Sequence, residues 1–262
     1  MLTKKEIDLI PKSFDVIGDI LVFTDFPEKL IKKEKEVGNY ILKKLKNVKV
    51  VAKRTKNFSG TFRTAKLKII AGEKRKETVH RENNCIFKLN VETCYFSSRL
   101  GNERLRIARQ VKKNEIVLTM FSGVAAYPIT LSKLTKSEEI YGIEINPSAH
   151  KYAQENLILN KIKNIKLIKG DVRKVMPKMK IKFDRILMPL PKDAGKFLDL
   201  AFSKIKKKGI IHFYYFLRED EIPEIGIKKI KEQKKKFKLL RVVRCGQIAP
   251  RKYRVCFDIK VL

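Results

Sequence analysis

The chain has 262 residues, of which 61 are Lys or Arg and 28 are Asp or Glu, leaving a formal charge of +33. Its 44% apolar content supplies a core of ordinary size, for one large domain or two small ones, and no apolar run approaches the roughly 18 residues of a membrane span. Charge of one sign on this scale repels itself, so either a polyanion such as RNA or DNA relieves it or the chain reflects a lysine-rich proteome.

The first hundred residues read as an α+β module. Asp15–Phe23 (DVIGDILVF) is an apolar strand with a glycine break, and Glu28–Leu45 has the pattern of an amphipathic helix. Val48–Ala52, Leu67–Ala71, Glu77–His80 and Cys85–Leu89 follow as short strands separated by basic turns. Arg99–Lys112 is expected as a helix packed between two halves, which places the domain boundary between 111 and 112.

From 112 to 262 strand and helix alternate. Glu115–Met120 (EIVLTM) reads as a buried strand, followed by a turn of small residues and a helix to Thr135. Ile140–Ile145 is a second strand. The next helix, Pro147–Asn160, opens with Asn146 as N-cap and Pro147 at its first position. Ile165–Lys169, Phe183–Met188 and Gly209–Phe216 supply three more strands, with helices near Lys192–Ile205 and Glu221–Lys236. Lys238–Cys245 and Tyr253–Val261 have the length of an antiparallel hairpin at a sheet edge. The fold class expected is α/β: a Rossmann-like, mainly parallel sheet with an antiparallel C-terminal hairpin, preceded by the small α+β module.

Four cysteines (Cys85, Cys94, Cys245, Cys256) form no CxxC pair and do not cluster with the three histidines, so reduced thiols and no metal site are expected. The N-terminal MLTKKEIDLIPKSFD carries charges where a signal peptide needs its apolar core, and a cytoplasmic location follows as the expectation.

Phe121-Ser122-Gly123-Val124-Ala125 follows the first strand of the second half, and Glu144 ends the second. Small residues let a backbone approach a ligand, and a carboxylate at that place accepts hydrogen bonds from ribose hydroxyls. One glycine stands where a dinucleotide fingerprint has three, so a ligand with a ribose and no pyrophosphate suits the turn, S-adenosyl-L-methionine above all. Asp171, in KGDVRKV, stands where a carboxylate could hold an adenine amino group. Read alone, Glu144 is equally a surface acid and Asp171 a helix N-cap.

The runs YFSSRLGNERLRIA (Tyr95–Ala108), MFSGVAAYPI, IYGIEINPSAHKYAQENLILNKI, GDVRKV, DRILMPLPK (Asp184–Lys192) and GIIHFYYF, in that order, resemble the archaeal and eukaryotic tRNA (guanine-N1)-methyltransferases that modify guanosine 37. IPKSFDVIGDI (Ile10–Ile20) and AGEKRKETVHRENNCIFKLNVE (Ala71–Glu92) resemble the same family's RNA-proximal module, so the likeness spans nearly the whole chain. It implies an S-adenosylmethionine-dependent enzyme that forms 1-methylguanosine at position 37 in the anticodon loop of tRNA. The form resembled is the short archaeal one linked to wyosine biosynthesis, without a separate domain for the outer corner of tRNA and expected to be monomeric. Some of its members also methylate C7 of a wyosine precursor, converting 4-demethylwyosine to isowyosine. An enzyme acting on that precursor alone, or an impaired tRNA-binding homologue, are the alternatives.

The resemblance also assigns roles. Glu103, in the family's Glu-Arg motif, matches the base that takes the guanine N1 proton, and Arg63 in TFRTAK matches an Arg that stabilises charge developing on O6. On residue types alone Glu103 reads as a helix-surface acid paired with Arg106 one turn on. Phe121, Gly123, Val124, Glu144, Ile145, Asp171, Val172 and Pro189 are the expected cofactor neighbours. Arg99, Arg104 and Tyr215 are the expected substrate contacts, and Pro189 and Pro191 belong to the catalytic loop. Pro189-Leu190-Pro191 stands where the family has Asn-Leu-Pro, Thr119 where it has Asp, and Ala125 where it has Gly. Proline has no amide with which to orient a base. An aromatic among Tyr214, Tyr215 and Phe216 could stack on a flipped base or pack the core, and Tyr127 could cover the cofactor. Lys204–Lys208 and Lys228–Lys238 are phosphate contacts or solvated helix faces.

Overall fold

In the computed structural model, which describes residues 2–56, 60, 62–190 and 192–262, the chain divides into two compact units, Met1–Ser98 and Arg99–Leu262. The first opens with α1 (Lys4–Asp8), closed at its start by a capping box between Thr3 and Glu6. The single strand expected over Asp15–Phe23 is instead a hairpin of β1 (Phe14–Ile17) and β2 (Ile20–Phe23), with Phe14 opposite Phe23 and Ile17 opposite Ile20. Gly18 turns the chain at φ +58, and a Cβ there would collide with the Thr78 hydroxyl and the Val79 carbonyl. Only glycine satisfies both demands. The helix expected over Glu28–Leu45 also breaks: Glu28–Lys33 is a 3-10 turn, and α2 (Glu34–Lys44) starts only after Lys33 leaves helical geometry at φ −117.

α2 lays Val37, Gly38 and Ile41 against a sheet completed by β3 (Val50–Arg54) and β4 (Leu67–Gly72). The strand order is β1-β2-β3-β4, with β2 and β3 parallel and the other pairs antiparallel. Leu21, Phe23, Leu30, Val37, Ile41 and Val51 form the core beneath the helix. β5 (Glu77–Glu82) and β6 (Cys85–Asn90) make a separate ribbon. Asp19 ties it to the hairpin, accepting from Arg75 at 3.0 and 2.6 Å and from the Thr78 hydroxyl at 2.7 Å.

The second unit starts with α3 (Gly101–Ala108). The division therefore falls ahead of this helix, where the sequence reading placed it at 111/112. The cause is bonding: Arg106 reaches Asp258 at 2.5 Å and the Gln110 carbonyl accepts from Arg185 at 2.7 Å, which fastens α3 and its exit to the sheet that follows. That sheet is built from β7 (Ile116–Met120), β8 (Glu139–Glu144), β9 (Ile165–Lys169), β10 (Phe183–Met188), β11 (Ile205–Arg218), β12 (Phe237–Ala249) and β13 (Lys252–Val261). Between them lie α4 (Ala126–Leu134), α5 (Pro147–Leu159), α6 (Val172–Val175), α7 (Leu198–Lys204) and α8 (Glu224–Lys231).

The order is β12-β13-β11-β10-β7-β8-β9. β9 through β11 run parallel, and β13 pairs antiparallel with both β11 and β12. This is the mainly parallel Rossmann-like sheet with an antiparallel C-terminal hairpin. Asn146 caps α5 as expected, accepting from the Ser148 amide at 3.0 Å. β11 outruns its expected Gly209–Phe216 at both ends, because Ile205 pairs with Phe183 of β10 and β13 carries the pairing on to Arg218, and α8 is shorter than Glu221–Lys236. Chain order reverses between β7 and β10, and the crevice above such a reversal is where open α/β sheets hold ligands.

Phe183, Ile186, Ile211, Phe213 and Phe257 form the heart of the second core. α8 lies directly on it at Gly226, where a Cβ would enter the Phe257 ring. Gly226→Ala is expected to cost about 1–3 kcal/mol by overpacking, read as a lower urea midpoint with an unchanged slope. An unchanged midpoint would contradict the contact.

Candidate active site

The turn after β7 is shaped by three left-handed residues, Phe121 (φ 57), Gly123 (φ 58) and Ala125 (φ 65). Alternation of this kind turns successive amides to one side of the chain. The Glu144 carboxylate, at the end of β8, accepts the Gly123 amide at 2.7 Å and the Asn146 amide at 2.7 Å. It is 8% exposed, and burial raises its pKa above the ordinary glutamate value against the pull of those amides. Thr119 Oγ1 and Ser122 Oγ are buried here without a partner among the described residues. A concave turn, a buried carboxylate and two unsatisfied hydroxyls fit a ligand rich in hydroxyl and amino groups. A buried anion at the centre does not fit a pyrophosphate.

Asp171 does cap α6, accepting from the Arg173 amide through Oδ1 at 2.8 Å. Val172 is buried and Ile145 half-buried beside these groups in the chain, while Val124 is 1% exposed. Phe121 meets Phe197 edge-on at 5.0 Å. The half-buried Pro189 directly follows β10, at the same edge of the sheet. Pro191 lies outside the described residues.

A carboxylate that bonds ribose hydroxyls only when ionised, and whose pKa is raised, loses its ligand at milder acidity than an exposed glutamate would. On the expectation that Glu144 holds the ribose, S-adenosylmethionine affinity falls on acidification, starting at a milder pH than an exposed glutamate would give. Glu144→Gln is expected to weaken binding about ten- to a hundredfold at neutral pH and to flatten that dependence. Titration calorimetry across pH measures both, and an unaltered pH dependence in the variant would reject Glu144 as the ribose ligand.

The other half of the site is a buried polar chain that begins at Glu103. Its carboxylate is 5% exposed and takes a fork from Arg106, Nε to Oε2 at 2.7 Å and Nη2 to Oε1 at 2.8 Å. The Tyr214 hydroxyl donates to Oε1 at 2.6 Å and itself accepts from Tyr127 at 3.1 Å. Burial pushes both phenols well above their usual range, so they stay protonated donors. Arg106 also holds Asp258, at 2.5 and 3.2 Å. Asp258 contacts His212 Nδ1 at 2.6 Å, and His212 Nε2 lies 2.7 Å from Arg185. Arg185, fully buried, ends the chain in a second fork on Glu115 at 2.7 and 3.0 Å.

Thus Glu103 does pair with Arg106, yet as a buried group in a network and not as a surface acid. Tyr214 and Tyr127 are correspondingly withdrawn from other work. At 1% and 5% exposure, with hydroxyls turned toward Glu103, neither offers a ring face to a flipped base or a lid to a cofactor. Tyr215 is half-buried, stacked on Phe213 at 5.5 Å and near Gly195 in the segment after β10. Arg99 is exposed, whereas Arg104 is 2% exposed with its guanidinium 5.9 Å from the centre of the Tyr127 ring. Arg63 is half-buried in the first unit at φ 50. Of the basic tracts, Lys204 and Lys206 are engaged by Met179 and Asp184, and Lys229 by Glu232.

Sequence reasoning missed Asp258, His212, Arg185 and Glu115. For three of these the available signal was a polar residue inside an apolar strand, Arg185 in DRILM, His212 in GIIHFYYF and Asp258 in VCFDIKV, where unpaired charge is almost never buried. His212, Cys256 and Asp258 bring ligand atoms within 4.8 Å of one another, the one such grouping among the described residues. Arg185 and Arg106 press two guanidiniums against it, and burial keeps the Cys256 thiol protonated. This makes it a hydrogen-bond relay, not a cation site.

Residues 78–243 match the TRM5/TYW2 methyltransferase domain, and residues 1–75 match the TYW2 N-terminal domain. The chain is 40% identical over 258 residues to the tRNA (guanine(37)-N(1))-methyltransferase Trm5b of Pyrococcus abyssi, covering 96% of this chain and 76% of that protein. It is 36% identical to the tRNA 4-demethylwyosine(37)-methyltransferase Taw21 of Saccharolobus solfataricus, covering 95% and 94%. Among solved structures, the complex of aTrm5 and tRNALeu superposes with a TM-score of 0.88 at 35% identity, covering 99% of this chain and 75% of that one.

Proposed function

The chain belongs to the TRM5/TYW2 methyltransferase family, and from that premise we propose that it forms 1-methylguanosine at position 37 of tRNA, with methylation of C7 in a wyosine precursor as a second activity. S-adenosylmethionine supplies the methyl group. Glu144, the Phe121–Ala125 turn, Ile145, Asp171, Val172 and Pro189 hold it, and the enzyme works as a cytoplasmic monomer on the anticodon loop. The observation that carries this reading is Glu103, a carboxylate buried in a formed network in the same unit as the cofactor turn.

Guanine N1 keeps its proton at neutral pH, so methylation there needs a base. As the N1–methyl bond forms and the sulfur–methyl bond breaks, the N1 proton passes to Glu103 and the sulfonium charge is extinguished. Arg63, in the first unit, is assigned to the charge that grows on O6. The first unit serves as the RNA-proximal module. Arg99 and Arg104 are assigned to the RNA and Tyr215 to the base.

Pro189 favours a second reading, an enzyme for the wyosine precursor alone, because it removes the amide that would hold the guanine edge. Incubation with unmodified tRNA carrying guanosine 37, and separately with tRNA carrying 4-demethylwyosine, followed by nucleoside mass spectrometry, decides. 1-Methylguanosine that disappears when position 37 is adenosine is the expected result. Methylation of the precursor alone would establish the second reading, and methylation surviving the exchange to adenosine would reject position 37.

A further inference from the structure

Glu103 shares its guanidinium. Arg106 forks onto Glu103 with Nε and Nη2 and onto Asp258 with Nη1 and Nη2. A guanidinium devoted to one carboxylate stabilises the ionised form strongly and leaves it a poor base. One divided between two carboxylates stabilises each less.

His212 fixes the charge of the far side. Its Nε2 faces Arg185 Nη1, a permanent donor, so Nε2 can only accept and Nδ1 carries the proton that Asp258 accepts. The imidazole is neutral, and burial, reinforced by both arginines, holds its pKa below the ordinary histidine value. Burial alone would raise the Asp258 carboxyl, but the His212 hydrogen bond and the Arg106 guanidinium outweigh it and keep Asp258 ionised. Glu103, Asp258 and Glu115 are thus three carboxylates against two guanidiniums and a neutral ring.

We infer that Asp258 is a positioning residue for the methyl transfer: by competing for Arg106 it leaves the Glu103 carboxylate free to take the substrate's proton, with His212 and Arg185 holding Asp258 in place. The inference rests on the reading of Glu103 as base. The other ionisable groups facing Glu103 are Tyr127 on α4, Tyr214 on β11 and Cys256 on β13, all neutral, with Arg104 on its own helix set over Tyr127. Arg106 is bonded to Glu103 and Asp258 to Arg106, so removing the one or the other is expected to act on Glu103 in opposite directions.

The test is single-turnover methyl transfer to guanosine-37 tRNA as a function of pH, with calorimetric S-adenosylmethionine affinity and thermal midpoint for each protein. In Asp258→Asn, Arg106 belongs to Glu103 alone. Its acid limb is expected about one unit lower and its plateau about tenfold lower, with cofactor affinity within about twofold of the wild type. In Arg106→Gln the acid limb is expected to move up. Histidine 15N NMR of the wild type is expected to find His212 protonated at Nδ1 alone. A folded Asp258→Asn whose rate falls with an unmoved acid limb has only a structural defect, and the inference fails. If Asp258→Asn does not fold, an unmoved limb in Arg106→Gln, which removes the charge of a residue partly at the surface, has the same force. A wild-type rate in Glu103→Gln would instead overturn the base itself, so the two failures are told apart.

Discussion

Replacing Glu115 with Ala is expected to destabilise the protein by about 3–5 kcal/mol, the loss that follows when one partner of a buried ion pair is removed. Arg185 has no exposure, and among the described residues its charge is balanced directly by the two oxygens of Glu115. Its other contacts, the Gln110 carbonyl and His212 Nε2, supply acceptors but no negative charge. A loss of this size is a large part of the total for a typical domain. Removing the arginine as well, in Arg185→Met with Glu115→Leu, is expected to recover much of it, since an apolar pair of similar volume does not have to be desolvated. Recovery stays incomplete, because His212 Nε2 loses its donor. Urea denaturation of Glu115→Leu, Arg185→Met and the double variant closes the cycle, with Glu115→Ala measured beside them. If Glu115→Ala alone proves as stable as the wild type, the buried charge has another partner.

The same pair explains where the sequence could and could not be read. The strands β9 and β10 lie over the residues expected, because each is an apolar run bounded by polar turns, and Asn146 with Pro147 marks the start of α5 by local chemistry alone. Gly18 was visible as a break but not as a reversal, since the space it fills is set by Thr78 and Val79 on a distant ribbon. The cofactor turn was legible for a related reason: Gly123 lies in the turn just after one parallel strand and Glu144 at the end of its neighbour, so their spacing along the chain is nearly fixed by one βαβ unit. No such rule relates Glu103 to Asp258. They are far apart in the chain, and their meeting depends on β13 entering antiparallel beside β11, in the register that sets Asp258 opposite His212. A buried charge inside an apolar strand announces that it has a partner, and only topology says which.

Glu103→Gln is expected to slow methyl transfer about 10²- to 10⁴-fold, the usual effect of removing a positioned base, while leaving S-adenosylmethionine affinity within about twofold. The amide cannot take up the proton that guanine N1 must lose. It also disturbs the network, because both carboxylate oxygens now accept from donors. Whichever way the amide turns, its NH2 faces an Arg106 N–H, a conflict worth about 1–2 kcal/mol of stability. The rate loss must therefore be separated from this cost. The hydrogen bonds of Glu103 go to Arg106 and Tyr214 and not to the Phe121–Ala125 turn or Glu144, so cofactor affinity reports on the fold while the chemical step reports on the base. Glu103→Asp completes the comparison. It keeps the charge but draws it back by one methylene, and the expected rate lies between those of the wild type and Glu103→Gln. Equal rates for Gln and wild type, in protein that binds the cofactor normally, would remove Glu103 from the reaction and leave Arg106 as the partner of a purely structural acid.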